Sequence, residues 1–88
     1  MAGTFETNLA NLGVTLPDAP APAANYVPAV QVGDLVYVSG QISQDDDGLI
    51  IGKLGDNMST EDGAKAARTC AIALLAQVKA ACAGDLDR

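Results

Sequence analysis

The residues best equipped for chemistry close one short apolar run: Val38-Ser39-Gly40-Gln41. A hydroxyl, a glycine N–H and a side-chain amide stand at consecutive positions there. Such a group can hold a carboxylate or a carbonyl oxygen, because several neutral donors can converge on one small ligand. The plainer alternative is an ordinary strand end. A second feature is Asn25-Tyr26-Val27-Pro28, a tyrosine just before the end of a proline-rich arm. On spacing alone, its ring simply packs that arm onto the body.

Other sources of chemistry are scarce. The chain has no His, so these residues supply neither an imidazole base nor a His metal site. Cys70 and Cys82 lie on one predicted helix, roughly 18 Å apart along its axis. A disulfide needs Cα atoms within about 7 Å, so both are expected as free thiols. Neither has the electropositive helix N-terminal setting that makes a thiol reactive. Asp45-Asp46-Asp47-Gly48 fits a calcium loop only until Leu54 falls where the bidentate Glu belongs; a solvated turn is the reading adopted. Gly48-Leu49-Ile50-Ile51-Gly52-Lys53-Leu54 is one residue short of a phosphate loop and lacks its Ser/Thr. Asn57-Met58-Ser59 is a glycosylation sequon only in a secreted protein and reads more simply as a helix cap. No metal and no cofactor is expected.

Composition narrows the class further. The chain has 88 residues, which bounds it to one domain at most, with a small core. Hydrophobic residues make up 49% and aromatics 3%, so the core must be aliphatic. The net charge is −6, and Lys53, Lys65, Arg68, Lys79 and Arg88 are scattered; both facts argue against nucleic-acid binding. The N-terminus lacks a basic segment followed by an apolar run, and the apolar-rich stretch 70–83 is broken by Gln77 and Lys79. A cytoplasmic location and no membrane association are the expectation.

The elements that must position the Ser-Gly-Gln group follow from local pattern. A short helix is predicted over 4–12, capped by Gly3 or Thr4 and stopped by Gly13. Residues 14–28 hold all four prolines and form an extended arm. A hairpin over 29–40 turns at Gly33-Asp34, a Gly-X link suited to a type II′ turn. Val36 and Val38 point to one face, Leu35, Tyr37 and Ser39 to the other, and both faces are expected to be covered. A third short strand is predicted over 49–52. A long helix follows over 60–83, with Ser59 as N-cap and Gly84 as stop. Its inward stripe is predicted as Ala64, Ala67, Ala71, Leu74, Leu75, Val78 and Cys82. Gly63 lies early in that helix, where close backbone approach by Ala64 and Ala67 would offset its poor propensity. The result is an α+β unit whose helix, about 35 Å long, needs more sheet than these strands supply. Expressed alone, it should oligomerise or be poorly folded.

On these residues the chain resembles the RidA/YjgF family, the reactive intermediate (imine) deaminases, also called endoribonuclease L-PSP proteins. The resemblance rests on Leu16-Pro17, Ala21-Pro22-Ala23-Ala24-Asn25-Tyr26-Val27-Pro28, and Gly33-Asp34-Leu35-Val36-Tyr37-Val38-Ser39-Gly40-Gln41. It continues through Gly52-Lys53-Leu54-Gly55, Ala66-Ala67-Arg68, Leu74-Leu75-Ala76-Gln77 and Gly84-Asp85-Leu86-Asp87-Arg88. The arm and the Gly-Lys-Leu-Gly loop point to a longer-chain subgroup. The resemblance implies a chorismate-mutase-like mixed sheet with helices on one face, here incomplete, and a homotrimer with sites between subunits. It implies a hydrolase acting on enamine/imine intermediates to release 2-keto acids and ammonia. Tyr26, Ser39 and Gly40 match the family's substrate-binding positions. The family's substrate-clamping arginine and its acidic residue have no counterpart here; Arg68 and Arg88 match neither arginine position. A non-catalytic trimeric binding module for a small carboxylate is the main alternative, and an endoribonuclease a weaker one.

Overall fold

The computed structural model describes residues 3–20 and 27–88. In chain order the elements are α1 (Thr4–Asn11), β1 (Ala29–Val32), β2 (Leu35–Val38), β3 (Gln44–Asp45), β4 (Gly48–Leu49) and α2 (Thr60–Ala81). They form two separate antiparallel pairs, β1 with β2 and β3 with β4, and α2 packs on β1, β2 and β3. The described residues therefore form helix with small antiparallel sheets, the coarser part of the expected α+β architecture. Mixed pairing needs strands brought side by side by crossovers, and here each strand pairs with its sequence neighbour.

The hairpin follows from its turn. Gly33 has φ +59, whereas Asp34 stays outside the positive-φ region, as a type II′ link requires. This closes the register Val32↔Leu35, Gln31↔Val36, Val30↔Tyr37 and Ala29↔Val38. Paired residues share a face, so Val30, Val32, Leu35 and Tyr37 line one side and Ala29, Gln31, Val36 and Val38 the other. Val36 and Val38 are half-buried under α2. The opposite face is open: Val32, Leu35 and Tyr37 are each more than half exposed. Coverage of both faces is thus corrected to coverage of one.

The strand expected over 49–52 is instead the two-residue β4, paired with β3 across the Asp46-Asp47 turn. The Asp45 carboxylate accepts from the Asp47 N–H at 2.9 Å, so the aspartates fold the turn upon itself. Beyond it, the Lys53 carbonyl accepts from the N–H groups of Asp56, Asn57 and Met58, and Asn57 Oδ1 accepts from the Lys53 N–H. This compact loop delivers the chain to the start of α2.

That start is a capping box. Ser59 Oγ accepts from the Asp62 N–H at 3.1 Å, and the Asp62 carboxylate accepts from the Ser59 N–H at 3.4 Å. The helix ends at Ala81 rather than 83. The Gly84 N–H closes onto the Lys79 carbonyl at 2.8 Å, with Ala83 and Gly84 both at positive φ. Gly63 admits a close neighbour, but that neighbour is Leu54: a Cβ there would meet Leu54 Cδ2 at 2.5 Å. Ala64 and Ala67 are exposed.

The buried line of α2 differs from the predicted stripe. Ala66, Ala76 and Gln77 are buried, and Cys70 and Ala73 half-buried between them, at three- and four-residue spacing. Ala64, Ala67, Ala71, Leu74 and Leu75 are exposed; only Val78 and Cys82 of the predicted stripe are half-buried. The buried side of α2 is thus lined mostly by small side chains, and Leu74 and Leu75 lie on its exposed side.

The short helix α1 is tied to the other end of the chain. Its first N–H groups, of Thr4 and Phe5, donate to the Asp87 carboxylate, and Glu6 pairs with Lys79 at 3.0 Å. A carboxylate at a helix start is favoured by the dipole. Phe5, Leu9 and Leu12 face Leu75, Val78 and Leu86 across an open apolar groove of about 310 Å³.

Two outcomes follow. Sedimentation of the 88-residue chain should show self-association or a poorly folded species, because Leu35, Leu74, Leu75 and Tyr37 remain open to water; a monomer with one cooperative calorimetric transition would contradict this. Ser59→Ala removes the cap and should cost about 1 kcal/mol, read as a melting point lower by about 5 °C in helical circular dichroism.

Candidate functional site at the end of the hairpin

Ser39 follows β2 directly, and pairing with the incoming arm continues past the strand. The Ser39 N–H donates to the Pro28 carbonyl at 3.0 Å. The Ser39 hydroxyl donates to the Val27 and Pro28 carbonyls, at 3.0 and 3.1 Å. A serine has one hydroxyl proton, and here it lies between two backbone acceptors. Towards a ligand Ser39 therefore presents lone pairs: it is an acceptor for an N–H or for water.

Ser39 opens onto a cleft of about 210 Å³ with Val27, Ala29, Val30, Tyr37 and Val38. Val30 and Tyr37 belong to the uncovered face of the hairpin. Alternation puts Ser39 on that same face, two residues beyond Tyr37. Tyr37 is a lining residue that motif reasoning did not single out. The signal was present, since residues at i and i+2 of a strand share a side.

Gly40 is exposed and Gln41 half-buried. The Gln41 amide nitrogen donates back to the Ser39 and Gly40 carbonyls at 3.1 and 3.2 Å. The three polar residues thus form one folded corner. Tyr26 lies outside the described residues. Arg68 is exposed on α2, and Arg88 lines a different cavity with Gln31, Asp34 and Cys82; neither lines the Ser39 cleft. Among the described residues no group of three Cys, Asp or Glu side chains is placed to hold a metal ion. Cys70 and Cys82 are free thiols. No described helix is long and apolar enough to cross a membrane.

Comparison with known proteins places this geometry in a family. The pattern of the Endoribonuclease L-PSP family matches residues 16–84. The Protein TCP17 of Trypanosoma cruzi is 44% identical over 88 residues, covering 99% of this chain and 54% of that protein. Among solved structures, the protein Atu1372 from Agrobacterium tumefaciens, of unknown function, is 43% identical. It matches with a TM-score of 0.75 over 92% of this chain and 49% of its own. A candidate endoribonuclease of Shewanella oneidensis is 34% identical with a TM-score of 0.86, over 98% of this chain and 57% of its own. The chain spans about half the length of the relatives it matches. With the family pattern running from the arm through the hairpin and α2, the chain belongs to the endoribonuclease L-PSP family, also known as RidA/YjgF.

Proposed function

We propose that this chain supplies the Ser39 side of a cleft that hydrolyses small enamine/imine intermediates to 2-keto acids and ammonia. The observation that carries this reading is the Ser39 hydroxyl, turned into a pure acceptor beside an open, largely apolar cleft. Family membership supports the reaction class, the chorismate-mutase-like architecture and a homotrimer with clefts between subunits. The uncovered hairpin face is where a neighbouring subunit would complete the cleft.

The chemistry asks little of the protein. Water adds to the C=N carbon while a proton passes to nitrogen, giving a carbinolamine. Collapse then forms C=O as the C–N bond breaks and ammonia leaves. Ser39 Oγ would accept from the attacking water or from the imine N–H, holding it against the carbon. Gly40, at the same corner, would help seat the substrate, and Tyr26 would line the cleft. The substrate carboxylate calls for a bidentate guanidinium. Arg68 and Arg88 lie elsewhere, so that group would come from polypeptide outside this chain.

Among the described residues no acidic side chain lines the Ser39 cleft, which favours a second reading, a trimeric module that binds a small carboxylate or carbonyl ligand without turnover. RNA cleavage is the weakest reading, given the −6 charge and the absence of His.

To separate these, 2-aminoacrylate is generated by a serine dehydratase and keto-acid release is followed with the trimeric protein. Acceleration that falls about tenfold or more in Ser39→Ala is expected, the scale of one lost site hydrogen bond. No acceleration, with the carboxylate still bound in calorimetry, would favour the binding module. Robust RNA cleavage by highly purified protein would overturn both.

A further inference from the structure

We propose that Gln77 is a positioning residue that ties Pro20, at one end of the described part of the arm, to the Ser39-Gly40-Gln41 corner. This rests on the reading of the Ser39 cleft as the functional site. Gln77 is 3% exposed, the one buried polar side chain among the described residues. It lies in the middle of an apolar helix line, between Ala76 and Val78. A buried amide is costly unless bonded, so its partners define its role.

Those partners belong to the two segments that frame the cleft. Gln77 Nε2 donates to the Pro20 carbonyl at 2.8 Å and to Gln41 Oε1 at 3.4 Å. The amide has two hydrogens, one for each acceptor. The second bond sets a direction. With Gln41 Oε1 facing Gln77, the Gln41 nitrogen must face the other way, and it does, towards the Ser39 and Gly40 carbonyls. Ser39 in turn holds the Val27 and Pro28 carbonyls. The arm is therefore pinned at Pro20 by Gln77 and at Val27 and Pro28 by Ser39, and the two pins are linked through Gln41. Tyr26, the family's substrate-binding position on the arm, lies in sequence between them.

This assigns glutamine a job that no apolar residue of its size can do. An acceptor at 77 would leave Pro20 unbonded and invite the Gln41 amide to turn over, stripping the donors from the Ser39 and Gly40 carbonyls.

The test compares wild type with Gln77→Met, which keeps length, volume and helix propensity but has no donor. Both are measured as the associated protein, after circular dichroism has shown equal helix content. Hydrogen exchange at the Ser39 N–H, which is bonded to the Pro28 carbonyl, and cleavage of the arm by a non-specific protease should each speed up about tenfold, the scale of one hydrogen bond. Protection equal to wild type in Gln77→Met would show that the side chain only fills space and would overturn the proposal. If Gln77→Met fails to fold, Gln41→Met breaks the link from its half-buried end. It should then loosen the Ser39 N–H while leaving cleavage near Pro20 unchanged; unchanged Ser39 exchange would again overturn it. Neither readout needs a substrate. Absence of imine hydrolysis in the wild type would thus refute the proposed reaction without touching this coupling. Where turnover is present, Gln77→Met should lower kcat/KM, because it displaces the Ser39-Gly40-Gln41 corner that holds both substrate and water.

Discussion

The structure depends on how closely α2 can lie against the β1–β2 hairpin. Ala66, Ala73 and Ala76 give the buried side of the helix a nearly smooth line, and Val36 and Val38 lie on the hairpin face that α2 packs against. Close packing recovers dispersion contacts that longer side chains on that line would forbid. It also sets the rotation of the helix about its own axis. Once the alanines face the hairpin, Gln77 must point inward beside Ala76, and Leu74 and Leu75 must point out. The placement of the polar node and of the uncovered apolar surface both follow from that one contact.

The same contact divides the hairpin into two unlike faces. One is covered by α2; the other carries Val30, Val32, Leu35 and Tyr37 towards water and ends at Ser39. An apolar face that ends in a hydroxyl acceptor is a reasonable wall for a small cleft, since most ligand sites are apolar with a few placed polar groups. It is only a wall. The chain spans about half the length of its relatives, and the cationic groups that would grip a carboxylate lie away from Ser39.

Around this centre, the remaining ties are local and polar. The capping box at Ser59 and Asp62, the Asn57–Lys53 loop bond and the Asp45 turn each satisfy backbone groups that secondary structure leaves open. The α1 helix has a longer-range anchor in Asp87 and a partly exposed ion pair between Glu6 and Lys79. Such a pair contributes at most about 1 kcal/mol. The end of the chain and α1 are thus joined by a capping carboxylate beside the apolar groove of Phe5, Leu9, Leu12, Leu75, Val78 and Leu86.

Local chemistry was legible in the sequence by itself. Gly33-Asp34 dictates a tight hairpin because glycine takes positive φ without steric cost, and Ser59 ahead of a helical run marks a helix start because its side chain satisfies a free N–H group. Val38-Ser39-Gly40-Gln41 marked the polar corner, and the same residues carried the family resemblance. What sequence could not decide was which side of α2 turns inward. An alanine-rich helix is apolar around most of its circumference, so the leucine stripe and the alanine line have similar periodicity, and only the shape of the hairpin beneath distinguishes them. That choice buried Gln77 and left Leu74 and Leu75 exposed. Each is a consequence of contacts between residues distant in the chain, which spacing along the sequence does not encode.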